Sequence, residues 1–151
     1  MTTPALLAKK AVFITAFFIG LLLFAGGCNK TPDEEQIQLL IKEIIAAVES
    51  GKPAEINQHL HADFQANGQM DAQQVKQLLL MYGMQQSTLS ITLLSSKTTL
   101  DPVYHDRAES LMSLVVTSSR GRGLPDDGSA RTVRLSWLKD DDWKLLKAEW
   151  E

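Results

Sequence analysis

The chain has 151 residues, with 15 Lys and Arg against 18 Asp and Glu and a formal net charge of −3. This acidic balance, without a basic cluster, argues against a nucleic-acid-binding protein. Cys28 is the single cysteine, which excludes an intramolecular disulfide. The sequence contains no internal repeat or low-complexity segment, and its length predicts one ordinary domain over residues 32–151.

The first 28 residues have the layout of an export signal. Lys9 and Lys10 precede an uncharged apolar run from Ala11 to Gly27, which ends in small residues before Cys28. The run is just short of the roughly 20 residues that span a bilayer, and small residues are typical of a peptidase cleavage site. The sequence predicts a cleaved signal peptide over residues 1–27. The alternative is an uncleaved anchor helix in which Cys28 is an ordinary apolar residue.

The end of this segment, Leu-Phe-Ala-Gly-Gly-Cys over residues 23–28, resembles the lipobox of bacterial lipoproteins. That family usually has Leu where Ala25 stands. The resemblance implies lipid on Cys28, a short tether over residues 28–31 and a position in the cell envelope, and two acyl chains are what stable membrane anchoring needs. Asn29 is not the Asp that typically retains such proteins in the inner membrane. In a cell with two membranes, the outer membrane, facing the periplasm, is therefore favoured.

The domain opens with a strong helix signal. Thr31 is the expected N-cap, Pro32 the first helical residue and Glu34 the partner in a capping box, and the helix should end near Ser50, before Gly51. Apolar residues recur at spacings of three and four along one face, and these are Ile37, Leu40, Ile41, Ile44, Ile45 and Val48. Because the opposite face is acidic, core packing is favoured over a membrane-surface helix.

Two further helices and a small hairpin are predicted next. A short helix over Ala54–Leu60 has Ile56 and Leu60 on its inner face. The segment Phe64–Met70 places Asn-Gly, the preferred pair of a two-residue turn, between two short extended arms. Asp71 then offers a helix cap, and a periodic run should end near Gly83.

Strands follow, because the apolar period changes from near four to two at Thr88. The later strands are expected at Ala108–Ser118, Arg131–Leu138 and Trp143–Trp150, separated by turn-forming segments. Helices followed by an antiparallel meander indicate an α+β domain.

Both alternating sets of strand residues contain large apolar side chains. Leu111 and Val115 oppose Met112, Leu114 and Val116, and Trp143 with Leu145 oppose Leu146 and Trp150. Since helices would cover one face of the sheet only, the other set predicts a homodimer or an envelope protein partner on the outer face.

This order of elements, with the segment His61-Ala62-Asp63-Phe64 before the hairpin, resembles the nuclear transport factor 2-like superfamily, which includes ketosteroid isomerase. The resemblance covers about Asp33 to Trp150. It implies three N-terminal helices in the concave face of a curved, mostly antiparallel sheet, forming a cone. The open end of that cone holds a ligand or an active site in some members, and the outer face often makes a dimer.

His59, His61 and Asp63 are the first candidates for chemistry, because they would bind a metal or transfer protons if their side chains converged. Spacings of two do not share a helix face, so the favoured interpretation is that these side chains are exposed to solvent and that the aspartate caps a helix. Tyr82 is a further acid–base candidate at the mouth of a cone.

Three other polar clusters are favoured as solvated surface. Tyr104-His105-Asp106 lies at a predicted hairpin end, and Asp140-Asp141-Asp142 lacks the alternating spacing of a calcium loop. Four arginines bring positive charge that could meet an anionic partner or lipid headgroups, namely Arg120, Arg122, Arg131 and Arg134.

Two classes of function remain open. The favoured one is a non-catalytic envelope module that binds a partner protein or a small apolar ligand, with no cofactor and no metal. The alternative is a small cofactor-free isomerase or dehydratase that uses His61, Asp63 and Tyr82. A pocket in which two of these side chains converge would favour the enzyme.

Overall fold

The computed structural model describes residues 31–84, 87–120 and 128–151, except for the side chains of residues 82–84, 87–88 and 119–120. The predicted signal peptide, Cys28 and Arg122 lie outside these residues. Pro32–Glu151 forms one compact unit. Within the described part of the chain, no helix is long and apolar enough to span a membrane.

Helix α1 spans Asp33–Glu49. Its N-cap is Pro32, not Thr31 as predicted, and Pro32 makes no side-chain capping hydrogen bond. The first intrahelical hydrogen bond runs from Gln36 N to Pro32 O at 3.0 Å. The predicted end of the helix before Gly51 is confirmed. Gly51 has φ +63°, a left-handed conformation that favours glycine.

Helix α2 is shorter than predicted, Pro53–Asn57, with Ile56 buried. Leu60 belongs instead to strand β1, Leu60–Ala66. The reason is a long-range pairing: β1 runs parallel to the last strand, with Leu60 opposite Leu145 and Ala66 opposite Ala148.

The predicted hairpin is present, but its loop has three residues. Strand β2, Met70–Asp71, pairs with β1 so that Ala66 is opposite Met70, leaving Asn67, Gly68 and Gln69 in the loop. Asn67 and Gly68 have φ of +49° and +63°, the left-handed region that this dipeptide tolerates.

Helix α3, Ala72–Met84, begins as predicted after Asp71. Asp71 Oδ1 accepts from Gln74 N at 2.8 Å, and Gln74 Oε1 accepts from Asp71 N at 2.9 Å. These reciprocal bonds form a capping box that satisfies two backbone donors at the helix start.

Four long strands complete the sheet: β3 Ser87–Leu100, β4 Arg107–Arg120, β5 Ser129–Lys139 and β6 Trp143–Trp150. The strand order is β2-β1-β6-β5-β4-β3, and every pairing is antiparallel except that of β1 with β6. The fold is therefore an α+β domain with a curved, mostly antiparallel sheet, as the sequence predicts.

A β-bulge in β6 changes which face Trp150 occupies. Trp137 pairs with Leu145, whereas Leu135 pairs with Ala148 and Val133 with Trp150. Because alternate residues of β5 share a face, Trp150 lies on the same face as Leu145. The prediction that Trp150 opposes Leu145 is wrong, since the extra residue in β6 reverses the alternation.

The core lies between α1 and the concave face of the sheet. Ile37 and Ile41 of α1 are at most 1% exposed and belong to one cluster with Trp137, Trp143 and other buried strand residues. Every member of this cluster falls between Ile37 and Ala148. This core lies within the compact unit Pro32–Glu151, which has the size of an ordinary single domain.

Candidate functional site

The concave face of the sheet and the three helices border a cavity of about 630 Å³. Helix α1 lines it with side chains at helical spacing, and β4 lines it with alternate residues, as the two periodicities require. The described lining is predominantly apolar and includes Ile41, Ile44, Ile45, Val48, Ile56, Phe64, Val75, Leu78, Leu79, Ile91, Met112, Leu114, Val116, Val133, Leu135 and Trp150.

Four polar residues line one end of this cavity, which we call the mouth: Glu49, Ser118, Ser129 and Arg131. Glu49 lies at the end of α1, Ser118 near the end of β4, and Ser129 and Arg131 at the start of β5. Glu49 is held on the edge strand, because its Oε1 accepts a hydrogen bond from Ile91 N at 2.6 Å.

A buried polar network lies on the same face of the sheet, away from the mouth. Ser110 is fully buried, and its Oγ accepts from Trp137 Nε1 at 3.0 Å and lies 2.7 Å from Thr98 Oγ1. Gln38 Nε2 of α1 donates to the same Thr98 oxygen at 2.7 Å. This chain of hydrogen bonds satisfies polar groups that would be costly if left unpaired, and it fixes α1 on β3 and β4.

The first residue of α1 makes a second link to the sheet. Asp33 Oδ1 accepts from Lys139 Nζ at 2.6 Å and from Trp143 Nε1 at 3.1 Å. One carboxylate oxygen therefore joins the helix start to the hairpin between β5 and β6. The negative charge also lies in the first helical turn, where the helix dipole favours it.

Of the predicted acid–base residues, the structure brings His61 and Asp63 together, but neither lines the cavity. His61 Nδ1 accepts from Asp63 N at 3.1 Å and lies 3.8 Å from Asp63 Oδ2. Its Nε2 lies 3.6 Å from Asp140 Oδ2. Tyr82 belongs to α3, but its side chain lies outside the described residues.

His59 contacts Glu43 of α1 and not His61 or Asp63, the residues with which the sequence analysis groups it. Its Nε2 lies 3.6 Å from Glu43 Oε2, and its side chain is 13% exposed. Burial lowers the pKa of His59 below its ordinary value; Glu43 opposes this shift and Lys144 adds to it. His59 also lies outside the cavity lining.

The remaining polar clusters are turns, as predicted. Asp101 Oδ1 accepts from Val103 N and Tyr104 N, and these backbone hydrogen bonds hold the pKa of Asp101 below its ordinary value. Arg107 lies over the Tyr104 ring, 4.8 Å from its centroid. Residues 140–142 form the exposed turn between β5 and β6. Within the described residues there is no group of three potential metal ligands.

Arg131 lines the cavity. The grouping of four arginines that could meet an anionic partner or lipid headgroups does not predict this position. The sequence feature that could have placed Arg131 in the cavity is its spacing of two from Val133, which continues to Leu135 and Trp137. Strand geometry puts that set on one face, and Leu135 and Trp137 are buried in the core. An arginine on the same face of a strand as core residues predicts a charged group at the edge of the apolar cavity.

The fold and the cavity together define a class: a small α+β cone with an apolar interior and a polar mouth. No protein-family model and no curated protein matches the chain. Solved structures do match. An uncharacterised protein with a cystatin-like fold from Caulobacter vibrioides has a TM-score of 0.62 and 13% identity, covering 77% of this chain and 86% of that one.

Two similar structures carry enzyme names. A proposed dehydratase of the nuclear transport factor 2-like family from Streptomyces avermitilis has a TM-score of 0.64 and 16% identity, over 78% of this chain and 94% of that chain. A proposed ketosteroid isomerase from Shewanella frigidimarina has a TM-score of 0.57 and 20% identity, over 74% of this chain and 91% of that chain. The chain therefore has the nuclear transport factor 2-like, or cystatin-like, fold. At these identities the similarity establishes the fold alone.

Proposed function

We propose that this chain is a lipid-anchored protein of the cell envelope whose cone binds a small apolar ligand. The observation that carries the binding function is the cavity of about 630 Å³ with its predominantly apolar lining. Ligand sites commonly enclose roughly 300–1,000 Å³, with apolar walls and a few polar groups. The lipobox-like sequence before Cys28 supports the anchor.

Packing energetics also favour an occupied cavity. The side chains that face it, among them Ile44, Ile45 and Val116, are only partly buried in the domain alone. Removing such apolar surface from water is favourable by roughly 25 cal/mol for each Å². An apolar ligand would bury this surface without any change in the backbone.

The alternative function, a cofactor-free isomerase or dehydratase, has the names of similar structures in its favour. Such catalysis needs a base that faces the substrate and a donor that stabilises the oxyanion. His61 and Asp63 lie outside the lining, and the one lining carboxylate in the described residues, Glu49, binds Ile91 N. Binding without catalysis is therefore the better supported function.

Adjacent valines on β4 provide a matched test, because they lie on opposite faces of the sheet. Val116 lines the cavity, whereas Val115 does not. We expect the domain from Asn29 onward to bind the neutral apolar dye Nile red with one-to-one stoichiometry, measured by fluorescence titration. Val116→Trp should weaken this binding about tenfold or more by filling the cavity, and Val115→Trp should leave it unchanged.

Ile45→Trp on α1 fills the cavity from a different element and should also weaken dye binding. Agreement between the two variants would show that the effect does not come from local misfolding at Val116. Circular dichroism should show native secondary structure in all three variants. Absence of saturable dye binding, or equal loss in Val115→Trp and Val116→Trp, would reject the cavity as the binding site.

A further inference from the structure

Arg131 faces the cavity, although it lies in a strand with other exposed charges. The register of β4 and β5 places Arg131 opposite Leu114, which is 7% exposed and lines the cavity. Directly paired residues of neighbouring strands share a face of the sheet. Arg131 therefore projects on the concave side, at the mouth, while Arg134 projects on the outer side.

The two arginines also differ in their partners. Arg134 Nε lies 3.3 Å from Glu109 Oε1. Among the described residues, Arg131 takes part in no ion pair, and Glu49, the acid at the mouth, accepts a hydrogen bond from Ile91 N at its Oε1. The hydroxyl groups of Ser118 and Ser129 line the same end of the cavity. The mouth thus offers the Arg131 guanidinium and two hydroxyl donors beside an apolar interior, together with the Glu49 carboxylate held on Ile91 N.

We infer that the ligand is an amphipathic carboxylate, with its hydrocarbon chain in the cavity and its carboxylate on Arg131. This inference rests on the proposed function and adds the chemical class of the ligand. A guanidinium presents a planar pair of N–H donors that matches a carboxylate, and such a pair is stronger beside apolar walls than in water. A neutral chain of the same length would fill the same space without this interaction.

The test compares dodecanoate with dodecanol, two ligands with the same chain length and different head groups. Each competes with Nile red for the domain from Asn29 onward, at neutral pH and below the concentration at which micelles form. Arg131→Met should weaken dodecanoate binding about tenfold, just below the range for a hydrogen bond to a charged group because Arg131 is exposed, and leave dodecanol binding unchanged. Arg131→Lys should weaken dodecanoate less, because the charge remains.

Arg134→Met is the matched control, since it removes an arginine of the same strand from the outer face and should change neither affinity. Equal effects of Arg131→Met on the two ligands, or none on either, would overturn the inference. Dye binding without dodecanoate binding in the unaltered domain would also overturn it, and would leave the proposed function intact. Absence of dye binding would overturn both.

Discussion

Asp33 provides a sharp test of how α1 is held on the sheet. Its Oδ1 accepts from both Lys139 Nζ and Trp143 Nε1, and the side chains of Asp33 and Lys139 are 27% and 30% exposed. A hydrogen bond to a charged group contributes about 1.5–3 kcal/mol, and partial exposure reduces this through solvent screening. Because Asn keeps an acceptor for Trp143, Asp33→Asn should cost about 1–2 kcal/mol.

Glu35→Gln is the control for this substitution. Glu35 lies in the same first turn and is exposed, so its replacement removes a charge near the helix dipole without removing a contact to the sheet. That change should cost about 0.3–1 kcal/mol at low salt. Urea unfolding followed by circular dichroism measures both variants, with the slope m expected to be unchanged. Equal losses for Asp33→Asn and Glu35→Gln would refute the proposed role of the Lys139 and Trp143 contacts.

Three further predictions follow from Cys28, His59 and Leu111. Cys28→Ser should leave an unprocessed precursor without lipid, which mass measurement of membrane fractions checks. Because burial lowers the pKa of His59, the unfolded state binds more protons, so stability should fall as the pH decreases below about 6.5; His59→Gln should reduce this loss in urea titrations. Leu111 on the outer face is 48% exposed, so sedimentation equilibrium should give a dimer that Leu111→Glu dissociates.

Local signals in the sequence predict most of the elements. The bounds of β6 are those predicted, and Asp71 caps α3 as its residue type suggests. Gly51 ends the first helix region because only a residue tolerant of positive φ fits there. Each of these features depends on residues within a few positions of one another, so the sequence alone contains the information.

Long-range features could not be predicted in this way. Apolar and polar residues alternate along β1 from Leu60 to Ala66, so its extended conformation could have been assigned from the sequence. Its parallel pairing with β6, some eighty residues away along the chain, could not. The bulge in β6 is visible only in its register with β5, and it moves Trp150 to the concave face. Arg131 could have been assigned to the cavity from its phase with Leu135 and Trp137, whereas the position of His61 outside the cavity depends on the pairing of β1.

The most direct test of the central claim is methyl NMR of the domain from Asn29 onward during titration with Nile red, the probe of the cone itself. Leu114 lines the cavity, while Leu111, three residues earlier on β4, is exposed on the outer face. If the cone is the binding site, the methyl resonances of Leu114, Val116 and Ile45 should shift and saturate together, with Leu111 unaffected. Shifts confined to Leu111 and Val115, or no saturable shift at all, would contradict the account.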